Sequence, residues 1–89
     1  MIIVADSGGS KIDWRLLKKD GTIGQAHSPG FNPYYQPLQD LNTILVQHLV
    51  PQVHEPVDKI FFSGTGVSSE KNQIVIQDAF AQYWLKAHI

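Results

Sequence analysis

The order of apolar and polar residues divides the first third of the chain into three predicted strands. An apolar run from Met1 to Ala5 predicts a buried strand. From Ile12 to Lys18 apolar and polar residues alternate, with Leu17 as the exception, and this period of two predicts a second strand. Asp20-Gly21 is a strong hairpin signal. We therefore expect a third strand over 22–27, where the few aliphatic residues suit a sheet edge.

The remaining two-thirds of the chain combine helical and strand patterns. A helix is predicted from Pro37 to Val50, because leucines recur there at helical spacing: Leu38, Leu41, Leu45 and Leu49. A short apolar run from Lys59 to Ser63 predicts a fourth strand. A second helix is predicted from Glu70 to Ala87, with Ser68 or Ser69 as its N-cap. Its apolar face consists of Ile76, Phe80, Tyr83 and Ala87.

The resulting order, β-β-β-α-β-α, predicts an α/β fold with a mixed sheet. Strands joined by hairpins are antiparallel, whereas the crossover helix should return strand four beside strand one and parallel to it. The loops that follow strands one and four would then meet at the carboxyl edge of neighbouring parallel strands. Open α/β sheets bind their ligands at that edge.

The loop after the first strand has the composition of a phosphate site, and it reads Asp6-Ser7-Gly8-Gly9-Ser10-Lys11. Glycines let backbone N–H groups approach phosphate oxygens closely. Ser10 adds a hydroxyl donor and Lys11 a positive charge, while Asp6 is suited to hold Mg²⁺, directly or through water. An ordinary glycine-rich hairpin turn without a ligand is the alternative interpretation.

Two better-known phosphate loops do not fit this sequence. A Walker A loop ends in Lys-Ser or Lys-Thr and opens a helix, whereas here Ile12 follows the lysine and a strand is predicted. The second glycine loop, from Gly64 to Ser69, lacks the third glycine of a dinucleotide fingerprint. No acid stands about 20 residues further on to bind a ribose.

Composition excludes several other classes of protein. With 89 residues the chain forms one domain at most. A net charge of −1 and the lack of a basic stripe exclude a nucleic-acid footprint, and no apolar run is long enough to span a membrane. The absence of cysteine and of a basic segment before the first apolar run suits a cytoplasmic protein. The histidines lack metal-ligand spacing: His27, His48, His54 and His88.

Three stretches, taken in order, resemble one known family. Residues 3–14, from Ile3 to Trp14, are similar to the first phosphate motif of BadF/BadG-type ATPases and N-acetylglucosamine kinases, within the actin-like ATPase superfamily. The stretches from Gly30 to Tyr35 and from Phe61 to Gly66 are also similar to that family. The resemblance covers most of the chain and implies a ribonuclease H-like (actin-like ATPase) fold.

The resemblance implies an ATP-dependent sugar kinase, with N-acetylglucosamine or a related amino sugar as substrate. The residues expected to line the β- and γ-phosphates of ATP are Gly8, Gly9, Ser10 and Lys11. Asp6 would hold Mg²⁺ through water. Asn32 would contact sugar hydroxyls, and the loop expected to face the same pocket contains Gly64, Thr65 and Gly66. One departure bears on phosphate affinity, since Ile12 stands where the family usually has a second hydroxyl residue.

Members of this family are several-fold longer, which implies that residues 1–89 are a truncated N-terminal actin-like ATPase domain. We expect it to lack the last strand and helix of that domain, and the C-terminal domain. The resemblance also places the catalytic base, an aspartate, beyond Ile89, so that the chain is expected to be inactive alone.

Two alternatives to the kinase remain: a BadF/BadG-type ATPase that drives work in a partner, and a structural half-domain without activity. Those ATPases often carry cysteine-ligated clusters, so the absence of cysteine favours the kinase.

Aromatic residues on the second helix also predict an exposed apolar patch and self-association.

Overall fold

The computed structural model describes residues 1–8, 10–64 and 69–84. Its elements, in chain order, are β1 (Ile2–Ser7), β2 (Lys11–Leu17), β3 (Ile23–Pro29), α1 (Leu38–Ile44), β4 (Lys59–Gly64) and α2 (Glu70–Ala81). A π-helical turn, Leu45–Leu49, and a 3-10 turn, Val50–Gln52, continue α1. The predicted β-β-β-α-β-α order is confirmed.

The four strands form one mixed sheet in the order β3-β2-β1-β4. β1 pairs antiparallel with β2 and parallel with β4, as the crossover predicted. Ser7, the last residue of β1, lies opposite Ile12 on β2 and Gly64 on β4. Since β3 is antiparallel to β2, it ends at this same edge of the sheet. The carboxyl ends of β1, β3 and β4 therefore lie at one edge of the sheet.

Both helices cover one face of the sheet, and the core lies between them and the strands. Ile3, Ala5 and Ser7 point toward this core, because side chains alternate along a strand. Ala5 has Trp14 on one side and Phe62 on the other, and Phe80 of α2 contacts both rings, at centroid distances of 6.1 and 5.9 Å. This aromatic cluster holds α2 against the centre of the sheet. Tyr83 and Trp84, which follow α2, extend this ring packing: Trp84 contacts Phe80 and Tyr83 at centroid distances of 6.1 and 5.9 Å.

The opposite face of the sheet is open among the described residues, and the strand register arranges it in rows. The first row is Ile23, Leu17, Ile2 and Lys59; the second is Gln25, Arg15, Val4 and Phe61; the third is His27, Asp13, Asp6 and Ser63. Apolar side chains dominate the first row and make up half of the second, whereas the third row is polar and lies beside the hairpin that follows β1. The apolar run of β1 therefore marks a central strand that is covered on one face only.

Helix boundaries differ from the prediction in two places. The α-helical hydrogen bonding of α1 stops at Ile44. Val50 N–H donates to the carbonyl of Leu45, five residues before it, whereas an α-helix uses the carbonyl four residues before. Pro51 explains the change, since it has no N–H to donate and its ring crowds the carbonyl four residues before it. The helical segment nevertheless extends through Pro51 to Gln52.

α2 ends at Ala81 rather than at the predicted Ala87, which itself lies outside the described residues. Tyr83 and Trp84 N–H groups both donate to the carbonyl of Phe80, an arrangement common at helix ends. The predicted N-cap is confirmed at Ser69, whose hydroxyl accepts from the N–H of Asn72 at 3.2 Å. Neither helix of the described part is long and apolar enough to cross a lipid bilayer.

Candidate functional site

Two of the segments with predicted site residues are joined directly at the carboxyl edge of β1. The hydroxyl of Ser7 donates to the carbonyl of Phe31 at 3.3 Å, in a buried position. The N–H of Gly30 donates to the carbonyl of Ser10 at 3.2 Å. The hairpin that follows β1 and the loop that follows β3 therefore form one surface.

Gly64 brings the end of β4 against the same point. A Cβ atom built on Gly64 would lie 2.6 Å from the Cβ of Ser7 and would also collide with the Ser7 carbonyl. Only glycine allows this approach between the two parallel strands. The structure thus gives Gly64 a packing function, while Thr65 and Gly66, also predicted to face the sugar pocket, lie outside the described residues.

The hairpin between β1 and β2 is closed by a hydrogen bond from Gly8 N–H to the carbonyl of Lys11, at 2.8 Å. This bond uses the Gly8 N–H that the sequence suggested for phosphate, and a phosphate-binding function of Gly8 stays a prediction. Ser10 and Lys11 are both exposed at the hairpin. A hydroxyl donor and a cation are thereby presented to solvent, while Gly9 lies outside the described residues.

Asp6 is an exposed carboxylate in the polar row of the open face. Its neighbour Asp13 accepts hydrogen bonds from Arg15 at 3.2 Å and from Gln25 at 3.4 Å, with His27 at 3.8 Å. Asp6 itself has no hydrogen bond or ion pair with any described residue. The two acids therefore differ: Asp13 is neutralised by its neighbours, and Asp6 is left free to meet a cation.

This arrangement fits Mg²⁺ that is held mainly by a nucleotide. Mg²⁺ commonly binds one or two carboxylates, keeps several waters and takes its other ligands from substrate phosphates. The described residues contain no group of three or more His, Cys, Asp or Glu side chains that would form a metal site without such a substrate. One free carboxylate beside the hairpin is the donor that a phosphate-bound Mg²⁺ requires.

Asn32 organises the loop after β3. Its side-chain oxygen accepts from Tyr34 N–H at 2.9 Å, and its carbonyl accepts from the N–H groups of Tyr35 and Gln36, both at 3.0 Å. The side-chain oxygen of Gln36 accepts from Asn32 N–H at 2.9 Å, and its amide nitrogen donates to Asp40 of α1 at 3.3 Å. The amide oxygen of Asn32 is therefore used within the loop, and its amide nitrogen remains to donate to a ligand.

The catalytic base has no candidate among the predicted site residues of this chain. The resemblance places that aspartate beyond Ile89, and Ile89 itself lies outside the residues that the structure describes, the last of which is Trp84. The predicted site residues in the described part are therefore candidates for ligand binding and not for proton transfer. The expectation of a base beyond Ile89 stays a prediction.

Two residues that shape this site, Ser7 and Gln36, were not predicted from the sequence. The period of two in β1 places Ser7 on the buried face with Ile3 and Ala5, and a buried hydroxyl requires a partner. That signal was present in the sequence. No comparable signal marked Gln36, because its two partners depend on the path of the loop.

A search of solved structures found a match to the crystal structure of a Porphyromonas gingivalis protein provisionally named N-acetylglucosamine kinase. The TM-score is 0.83, at 23% sequence identity over 98% of this chain. The chain therefore shares the α/β fold of the matched part of that protein, and it spans 31% of that protein's length. No protein-family model matches the sequence, and no curated protein does. The predicted fold class is confirmed.

Proposed function

We propose that this chain supplies the phosphate-binding hairpin and part of the sugar pocket of an ATP-dependent sugar kinase. The proposed substrate is an amino sugar, with N-acetylglucosamine the first to test. One observation carries the proposal: the hairpin with Ser10 and Lys11 and the loop with Asn32 are hydrogen-bonded to each other at the ligand-binding edge of the sheet. The likeness in fold to a protein provisionally named as such a kinase supports it.

The nucleotide half of the proposed site consists of Ser10, Lys11 and Asp6. Phosphoryl transfer depends mostly on positioning and on stabilising the charge of the phosphate oxygens. The Lys11 ammonium supplies positive charge there, and the Ser10 hydroxyl donates a hydrogen bond. Asp6 would hold Mg²⁺, directly or through water, and the ion would supply positive charge to the phosphates when bound.

The sugar half rests on Asn32. Its amide nitrogen donates to a sugar hydroxyl, while the bonds to Tyr34, Tyr35 and Gln36 keep the loop in one conformation before the sugar arrives. Such preorganisation reduces the entropy lost on binding. In this proposal residues 1–89 act as an N-terminal actin-like ATPase segment that binds both substrates, and the carboxylate that takes the proton from the sugar hydroxyl is supplied by another segment.

The first test is an NMR titration of the ¹⁵N-labelled chain. Mg²⁺-ATP should shift the Ser10 and Lys11 amides, and N-acetylglucosamine should shift the Asn32 side-chain amide. Asp6→Asn should remove the gain in nucleotide affinity that Mg²⁺ provides, whereas Asp78→Asn, at an exposed carboxylate on α2, should retain it. Saturating concentrations of both ligands without any such shifts would refute the proposal.

Two variants of Asn32 separate the sugar contact from the loop structure within the same titration. Asn32→Ser keeps a side-chain oxygen that accepts from the Tyr34 N–H, but it loses the amide donor. Asn32→Ala loses both the oxygen and the amide donor. Both variants should bind sugar roughly threefold to tenfold more weakly, as expected for one lost hydrogen bond, with ATP affinity unchanged. If sugar binding is weaker only in the alanine variant, Asn32 stabilises the turn and does not contact the sugar.

A further inference from the structure

We infer that Ser7 is a positioning residue that fixes the Asn32 loop relative to the phosphate hairpin. The inference rests on the proposed function, because the relative position of these segments matters only if they hold a phosphate donor and a sugar. Ser7 is 2% exposed, so it does not contact either ligand itself. Its effect on ligand binding is transmitted through Phe31, whose carbonyl accepts its hydrogen bond, and through Gly8, which follows it in the chain.

Ser7 is the one polar residue on the buried face of β1, where Ile3 and Ala5 are its neighbours. A hydroxyl in that position is costly without a partner, and the carbonyl of Phe31 is the partner it has. The bond joins residues 24 positions apart. It is the side-chain link between two segments that the Gly30–Ser10 backbone bond also connects.

Phe31 is anchored at two points. Its side chain is 1% exposed and belongs to the hydrophobic core, and its carbonyl accepts the Ser7 hydrogen bond. Asn32 follows directly in the chain. The place from which the Asn32 loop leaves the core is thus determined by the core packing of Phe31 and by the Ser7 hydroxyl.

Ser7 is itself held in place from the opposite side. Gly64 of β4 packs so closely that no Cβ atom fits between the two residues. On its C-terminal side Ser7 continues into Gly8, whose N–H closes the hairpin. The buried Ser7 side chain, together with the Gly30–Ser10 backbone bond, therefore sets the position of the Asn32 loop against the start of the hairpin that presents Ser10 and Lys11.

The chemistry of phosphoryl transfer makes this distance important. The attacking hydroxyl and the phosphorus must lie about 3–3.5 Å apart in an aligned geometry, and an error of about 1 Å lowers the rate roughly 100-fold. A residue that sets the spacing between the two ligand sites also makes binding at one site sensitive to the other. That thermodynamic coupling can be measured without turnover.

The test compares sugar affinity with and without a bound non-hydrolysable Mg²⁺-ATP analogue, by NMR titration of the 89-residue chain. In the wild-type chain the nucleotide should change sugar affinity by about fivefold or more. In Ser7→Ala this factor should fall to about one, while the affinity for each ligand alone stays within about threefold of wild type. A residue with only a structural role would lower the melting temperature and leave the coupling factor unchanged.

Ser63 provides a matched control. Its hydroxyl also donates to a backbone carbonyl at 3.3 Å, that of Ala5, and joins β4 to β1, but it lies on the open face. Ser63→Ala should keep the wild-type coupling factor. If Ser7→Ala does not fold, Ser7→Cys takes its place, because a thiol has a similar shape and donates only weakly; it should lose the coupling in the same way.

The outcomes distinguish the inference from the proposed function. Binding of both ligands without coupling in the wild-type chain overturns the inference alone. An unchanged coupling factor in the Ser7 variant also overturns the inference alone. The same holds if Ser63→Ala loses as much coupling as Ser7→Ala, since that would indicate general loosening of the sheet. Failure of the wild-type chain to bind either ligand overturns the proposed function and the inference together.

Discussion

Gly64 shows how a single residue determines the geometry of the candidate site. Sequence similarity suggested that it lines a sugar pocket, and the structure gives a physical reason for glycine at this position: β4 lies so close to Ser7 that a side chain would collide with the β1 backbone. The distance between β1 and β4 at the ligand-binding edge therefore depends on the missing Cβ atom.

Gly64→Ala should consequently destabilise the chain by about 1–3 kcal/mol, the usual cost of forcing an extra carbon into a packed site. Gly8→Ala is the matched control, because a Cβ atom there would have an ordinary contact of 3.5 Å with the Lys11 carbonyl. We expect that variant to change the free energy of unfolding by less than about 0.5 kcal/mol. Urea denaturation measures both, and equal stability of the two variants would contradict the close approach.

At the scale of elements, the turn between β2 and β3 is specified by its local sequence. Gly21 has a φ of +89°, the left-handed region that glycine adopts without strain. Asp20 accepts hydrogen bonds from the hydroxyl and from the N–H of Thr22, at 2.6 and 2.9 Å. Both bonds lower the pKa of Asp20 below its ordinary value of 3.8, and the bond from the hydroxyl has the larger effect. Both features are local, which is why the Asp-Gly pair predicted the hairpin correctly.

A lowered pKa means that folding favours the ionised Asp20. Its contribution to stability is therefore complete above about pH 3.8, the ordinary pKa, and is lost as the pH falls through the lower folded value. Thr22→Val removes the hydroxyl donor and should raise the Asp20 pKa toward 3.8 in an NMR pH titration of its carboxyl carbon. Thr43→Val, which removes a hydroxyl bond within α1, should leave that titration unchanged.

The helical segment after Leu38 shows the limit of local prediction. The leucine stripe and Pro51 indicated one helix of nearly correct extent, but the change from α to π hydrogen bonding at Leu45 was not predicted. An apolar stripe reports which side of a segment is buried. It does not report how the backbone adjusts so that Leu45 and Leu49 both remain buried ahead of a proline.

At the scale of the whole molecule, the open face of the sheet is the most unusual feature. Several large apolar side chains on it are at least a third exposed: Val4, Leu17, Ile23 and Phe61. Apolar patches of this kind on a folded surface mark sites of association. The self-association predicted from the aromatic residues of α2 is therefore better placed here than on α2, where Phe80 is buried in the core.

We expect the chain to associate reversibly as its concentration rises, as measured by sedimentation equilibrium. The double variant Ile23→Thr and Phe61→Thr should weaken that association, since threonine keeps the strand preference and removes apolar surface. Ile74→Thr is the control, because Ile74 is 50% exposed on α2 and lies outside the open face. Equal association of wild type and double variant would show that this face does not mediate contact between copies.

The amino-acid sequence alone was sufficient for the order of elements, the parallel pairing of β1 with β4 and the glycine hairpin, because periodicity, turn residues and crossover handedness act over short distances or follow general rules. It did not show which polar groups remain available to a ligand. Asp6 is free while Asp13 is neutralised, Gly8 N–H and the Asn32 oxygen are used internally, and Ser7 joins two loops. Several of these contacts join residues far apart in the chain, and all of them exist only once strand register and loop paths have been set by packing.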